Sequence, residues 1–141
     1  MEHMSTEEVH QFLTEKARTG KLATVRADGR PHVAPIWIDV EDNIIVFTTW
    51  HESVKAANIR RNPRVAICVD DDRPPFAFVI LEGTAAMSED REELRYWATR
   101  IAGRYMGSEL AEAYGKRNSV EGELLVRVTQ TKIIAWKKIS E

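Results

Sequence analysis

Thr48, Thr49, Ser53 and Lys55 fall close together in the run FTTWHESVK, three hydroxyls and one ammonium group within two turns of chain. Hydroxyl donors and a mobile cation are the groups that hold a phosphate ester. Ser53 follows the two-residue loop His51-Glu52 and opens the segment SVKAANIRR, which Asn62-Pro63 must stop. Serine is a favoured N-cap, so Ser53 and Lys55 belong to the first turn of a short helix. Free N–H groups and the positive end of the helix dipole attract anions there. Serine caps and lysines on short helices are also common, so this spacing fits both a phosphate cradle and an ordinary cap.

The elements around this junction can be read from periodicity. Residues 43–50, NIIVFTTW, are apolar and β-branched and suit a half-buried strand, and residues 64–69 form a second apolar strand after the helix. Upstream, Ser5-Thr6-Glu7-Glu8 has capping-box spacing, with Val9, Phe12, Leu13 and Ala17 on one face. That predicts a helix over 5–18 ended by Thr19-Gly20. Residues 22–27 form a strand, Ala27-Asp28-Gly29-Arg30 a tight turn, and residues 31–40 the partner strand. Pro35 inside that strand marks an edge or bulge, where backbone groups stay free to bond a ligand.

Downstream, the acidic loop Asp70-Asp71-Asp72 lacks the spaced pattern of a calcium loop and reads as solvated. A long strand spans 76–87 with a bulge or bend at Gly83. Asp90 caps a helix with Leu94, Trp97, Ala98 and Ile101 as its apolar stripe, weakened by Gly103 near its end. A further helix covers 108–116, and a last β segment covers 124–139, long enough to bend or split. Strands in quick succession with tight turns predict an antiparallel meander closing into a barrel.

Several function classes are disfavoured. A net charge of −2 gives no general pull toward nucleic acid or anionic membrane. No stretch has the length of apolar residues that a membrane span needs, and Met1-Glu2-His3-Met4 is polar, so a cytoplasmic protein is expected. His3, His10, His32 and His51 show no metal-ligand spacing, and no metal is expected. The single cysteine, Cys68, sits in the apolar run VAICV and reads as buried, inert packing. There is no nucleophile elbow, Walker loop or G-x-G-x-x-G. No general acid or base emerges either, which suits chemistry carried by a cofactor.

The run FTTWHESVKAANIRRNPRVA, together with GKLATV (20–25), DGRPH (28–32), VAPIW (33–37) and LEGTA (81–85), resembles the pyridoxamine 5′-phosphate oxidase-like family of flavin-binding proteins. The resemblance spans residues 5–90, with a looser match to the C-terminus. It implies a mainly β fold with flanking helices: an antiparallel split β-barrel as one domain over residues 1–141. It also implies a homodimer with the cofactor at the subunit interface. By the same resemblance, Thr48, Thr49, Ser53 and Lys55 contact the cofactor phosphate, and the backbone of Pro35, Ile36 and Trp37 lies along the ring. Family members of the oxidase type carry an arginine after the serine, where this chain has Val54. They also end in an arginine-containing tail, where this chain has Ile134-Ala135-Trp136-Lys137-Lys138. The chain therefore looks more like the deazaflavin-dependent branch, with coenzyme F420 as cofactor and FMN as the alternative, than like a pyridoxamine phosphate oxidase.

Two basic groups flank the motif. Arg60, Arg61 and Arg64 suit a helix C-terminus and a solvated face, or a surface that guides an anionic cofactor. Arg104 and Tyr105, with Arg100, are candidate contacts for the acidic tail of a deazaflavin. Trp97 reads as core, and Trp50 and Trp136 as residues of a dimer seam or of a flavin stack, the seam favoured. The leading expectation is an oxidoreductase passing hydride from reduced F420, or from FMN, to a small electron-poor molecule such as a quinone, an unsaturated carbonyl or a tetrapyrrole. The alternative is a non-catalytic flavin- or haem-binding module, and a basic-patch interaction protein is a distant third.

Overall fold

In the computed structural model, which describes residues 1–141, the N-terminus already joins the fold. A two-residue strand, β1 (Glu2–His3), lies antiparallel on the chain's last strand, although the sequence assigns residues 1–4 no element. Helix α1 (Thr6–Glu15) starts at the expected capping box: the Ser5 hydroxyl accepts the Glu8 N–H, and the Glu8 carboxylate accepts the Ser5 N–H. The helix stops at Lys16 rather than at Thr19-Gly20. Arg18 ends it, its guanidinium donating to the Phe12 carbonyl at 2.6 Å and lying 3.9 Å over the Phe12 ring. Gly20 serves packing instead, because a Cβ there would press on Ile36, Ile38 and Ile67 at 3.3 Å each.

Gly20 opens β2 (Gly20–Val25), which turns through Gly29, at φ +88°, into β3 (Pro31–Ile36). The expected single strand over 31–40 is broken at Trp37-Ile38, and Asp39–Glu41 is a separate strand, β4. Then come β5 (Ile44–Trp50), helix α2 (Val54–Arg61), β6 (Arg64–Asp71) and β7 (Ala77–Ser88). Helices α3 (Arg91–Met106) and α4 (Ala111–Arg117) precede β8 (Glu123–Lys137), which runs unsplit. The bend expected at Gly83 is a register shift between Glu82 and Gly83, where a Cβ would collide with the Thr129 carbonyl.

All pairings are antiparallel, in the order β3-β2-β6-β7-β8-β5-β4. A simple meander holds for β6-β7-β8 but fails elsewhere: α2 carries the chain across between β5 and β6, so β6 pairs with β2 and β5 with β8. The two strands at the ends of this order, β3 and β4, are joined by only Trp37 and Ile38. Two residues cannot span an open sheet, so its edges must lie side by side. The result is an antiparallel barrel split between β3 and β4.

The barrel is filled by one apolar cluster that includes Leu22, Ile38, Phe47, Ile67, Leu81 and Val126, all buried. Burying each such side chain is worth about 1.5–3 kcal/mol. A smaller cluster of Val46, Leu94, Trp97 and Leu125 holds α3 on the outer face, which makes Trp97 core as expected. Cys68 is not inside: Ile67 and Val69 take the inward positions of β6, and the period of two turns Cys68 outward, half-buried beside Lys21. Burial nonetheless pushes its thiol above the ordinary range. No helix is long and apolar enough to cross a membrane.

Candidate functional site

The split has a chemical consequence. A cavity of about 490 Å³ opens where the end of β3, the end of β5, the start of α2 and the side of α3 meet. Pro35, Ile36, Trp37, Thr48, Thr49, Ser53 and Lys55 all line it, so residues expected to hold a phosphate and residues expected to run along a ring share one space. A second cavity, of about 350 Å³, lies under α1 among Val9, Leu13, Val40, Ile45 and Leu81, and contains none of these residues.

Ser53 is the N-cap of α2, with extended backbone, and its hydroxyl accepts the Ala56 N–H at 3.1 Å. Thr49 Oγ1 and Ser53 Oγ are 2.8 Å apart. Two hydroxyl hydrogens serve that one contact, so one O–H is left for a ligand whichever oxygen donates. The Val54 and Lys55 N–H groups have no carbonyl partner within the chain, as at any helix start. No acidic residue occupies the first turn of α2, and Lys55 forms no ion pair within 4.0 Å. Free amides, a spare hydroxyl and an unpaired ammonium group fit a phosphate.

The strand that would carry a ring is held from behind. The Tyr105 hydroxyl donates to the Arg18 carbonyl at 2.6 Å and accepts the Ile38 N–H at 3.0 Å. Its ring stacks on Trp37 with centroids 5.0 Å apart and planes 4° from parallel. Burial raises the Tyr105 phenol above its ordinary value. Tyr105 therefore shapes the cavity through Trp37 without lining it.

Arg104 and Arg61 also stand outside the lining. Arg104 donates to the Leu13 and Lys16 carbonyls at 3.1 and 3.3 Å and lies 3.5 Å from the Asp39 carboxylate. It spans α3, α1 and β4, which long-range pairing hides from sequence. Arg61 donates to Asn58 Oδ1 at 2.9 Å near the end of α2. Trp136 packs on His3 of its own chain, with ring centroids 3.6 Å apart. Trp50 is 43% exposed at the cavity mouth.

Sequence reasoning misses Glu123, Asn118, Thr19, Ala98 and Ile101, which complete the lining. Glu123 matters most, because it is the only acid there. It is the first residue of β8 and pairs in register with Trp50, three residues before the Ser53 cap. Burial pushes its carboxyl above the ordinary value, while the charges of Lys55 and His51 pull it down. Nothing local marks it, and only the β5–β8 register brings it in.

With this geometry in view, the comparisons with known proteins fit. The chain matches the family described as pyridoxamine 5′-phosphate oxidase over residues 5–137, and so belongs to that family. Its fold is shared with the conserved hypothetical protein Rv2991 from Mycobacterium tuberculosis, at 31% identity over 97% of this chain and 87% of that one, with a TM-score of 0.84. It is also similar to a protein described as an F420 reductase, at 27% identity over 91% of this chain and 95% of that one, with a TM-score of 0.68. HutZ, the haem storage protein of Vibrio cholerae, shares the fold at 20% identity, covering 96% of this chain and 98% of its own, with a TM-score of 0.73.

Proposed function

We propose that this chain is an oxidoreductase that uses reduced F420 to deliver hydride to a small electron-poor organic molecule. The observation that carries the reading is the single cavity in which a helix-start anion cradle faces the Pro35–Trp37 edge. Similarity to an F420 reductase favours the deazaflavin over FMN. The cofactor would supply the hydride chemistry itself. The chain's part is binding and orientation. Ser53, Lys55 and the α2 amides hold the phosphate, with Thr49 behind Ser53 and Thr48 beside it. The backbone of Pro35, Ile36 and Trp37 sets the ring plane, with Trp37 fixed by Tyr105. Arg104 and Arg61, both outside the lining, remain the candidate contacts for an acidic cofactor tail. Trp37, Trp50 and Val54 leave apolar surface exposed around the mouth. That surface supports a homodimer in which a second subunit completes the site.

Titration of the full chain with F420 and with FMN, followed by tryptophan fluorescence, tests this. F420 is expected to bind more tightly, and Lys55→Ala to weaken it by about 1.5–3 kcal/mol through loss of a charged hydrogen bond. FMN preference would move the assignment to a flavoprotein. Tight F420 binding with no turnover of F420H2 across quinones and enones would favour a binding module instead.

A further inference from the structure

We propose that Glu123 makes this cradle select for the charge of the phosphate, favouring a phosphodiester, with one negative charge, over a phosphate monoester, with nearly two. The inference rests on the reading of the cavity as a cofactor site and extends it to which phosphate the site accepts. Among the side chains lining the cavity, only Lys55 and Glu123 are charged. They come from different elements, the first turn of α2 and the first residue of β8. The register fixes their closeness: Glu123 pairs with Trp50, and the Trp50 carbonyl accepts the Ser53 N–H at 3.0 Å.

The neighbouring ionisable groups stand outside the lining, and of them His51 also acts on Glu123. Arg60 donates to the His51 carbonyl at 2.9 Å, and Arg61 to Asn58 Oδ1. His51 lies 3.5 Å from Glu52, outside the lining. The lining charges therefore cancel, leaving the partial positive charge of the helix start, about half a unit. A monoanion exceeds that by only about half a unit. A phosphate monoester, at about −1.5 to −2 near neutral pH, brings more negative charge than the site can offset. F420 carries its phosphate as a diester, and FMN carries a terminal monoester, so Glu123 would discriminate between the two cofactors by charge alone. Burial, which raises the Glu123 carboxyl, has the same origin: the acid sits where its charge is poorly solvated and acts strongly on a neighbour.

Two ligands with one ring isolate the effect: the ribityl 5′-phosphate of 8-hydroxy-5-deazaflavin, a monoester, and the methyl ester of that phosphate, a diester. Both are titrated at pH 8 against the full chain, Glu123→Gln and Glu123→Ala, with Glu123→Asp as the charge-keeping control. Repulsion scales with phosphate charge, so losing the carboxylate is expected to tighten the monoester about tenfold and the diester about threefold. Glu123→Asp should keep the wild-type ratio. Equal effects on both ligands in Gln and Ala variants, or none, would overturn the inference and leave the cofactor reading standing. Failure of the wild-type chain to bind either ligand would overturn the phosphate reading and this inference with it.

Discussion

Ser53 carries two roles in one hydroxyl, and they can be separated. It caps α2 through the Ala56 N–H and shares a hydrogen with Thr49 in the cavity wall. Ser53→Ala should lower stability by about 1 kcal/mol, read as a lower urea midpoint, and weaken cofactor binding as well. Ser53→Asp restores the cap but brings a negative charge to the cradle. Stability should return to near wild type while F420 binding is lost. Recovery of both together would mean that the hydroxyl serves only the helix. Glu123 allows a second prediction at this scale, through pH. Its carboxyl is raised in the folded chain, so folding holds its proton more tightly than the unfolded chain does. The resulting stability is complete below the unfolded carboxylate range and is lost as pH rises through the raised value. Glu123→Gln should therefore raise the thermal midpoint at neutral pH and leave it unchanged near pH 4. A uniform shift at both pH values would point to packing rather than to the proton.

At the scale of elements, the cavity depends on how α3 is docked against the split. Asp39, at the start of β4, has a side chain only 3% exposed, with Arg100 at 3.3 Å and Arg104 at 3.5 Å. Its carboxylate also accepts the Val40 N–H at 2.8 Å. Asp39→Asn removes the anion shared by the mostly buried Arg104 and the half-exposed Arg100, at a cost of about 1–3 kcal/mol in denaturant unfolding. Because α3 also supplies Ala98 and Ile101 to the lining, cofactor binding should weaken in the same variant. Asp39→Asn with unchanged stability would assign α3 docking to the Val46–Leu94–Trp97–Leu125 cluster alone.

Asp39 and its arginines also mark where sequence reading stops. Features set by neighbours in sequence were legible: the Ser5, Ser53 and Asp90 caps, the turn at Gly29, the edge position of Pro35, and Gly83 as a bulge. Features set by distant partners were not. The break at Trp37-Ile38 reflects closure of the barrel, the early end of α1 reflects Arg18 reaching Phe12, and Glu123 enters only through its pairing with Trp50. Resemblance brought the Pro35–Trp37 edge and the Ser53 cradle together in advance, because it carries long-range pairing that periodicity lacks.

For the whole molecule, the open side of the cavity raises the question of what covers it. Trp37, Trp50 and Val54 are 36%, 43% and 50% exposed, and Val33 on the edge strand β3 is 67% exposed. Isolated exposed apolar residues need no explanation, but here two line the cavity mouth and a third adjoins its lysine. Leaving them in water forgoes burial worth about 25 cal/mol per Å², which a second copy of the chain would recover. The proposed dimer and the proposed site are then coupled: a ligand held by both subunits tightens their association, and association tightens the ligand. Val54→Asp places a charge in that apolar rim without touching the Ser53 hydroxyl. Sedimentation velocity should show the wild-type chain as a dimer and the variant shifted toward monomer, with F420 restoring part of the dimer. Binding of F420 should weaken in the variant at low protein concentration and recover as concentration rises. A wild-type monomer that binds F420 at full affinity would break the coupling and confine the site to one chain. In that case Trp50 would cover the ligand from within the same subunit.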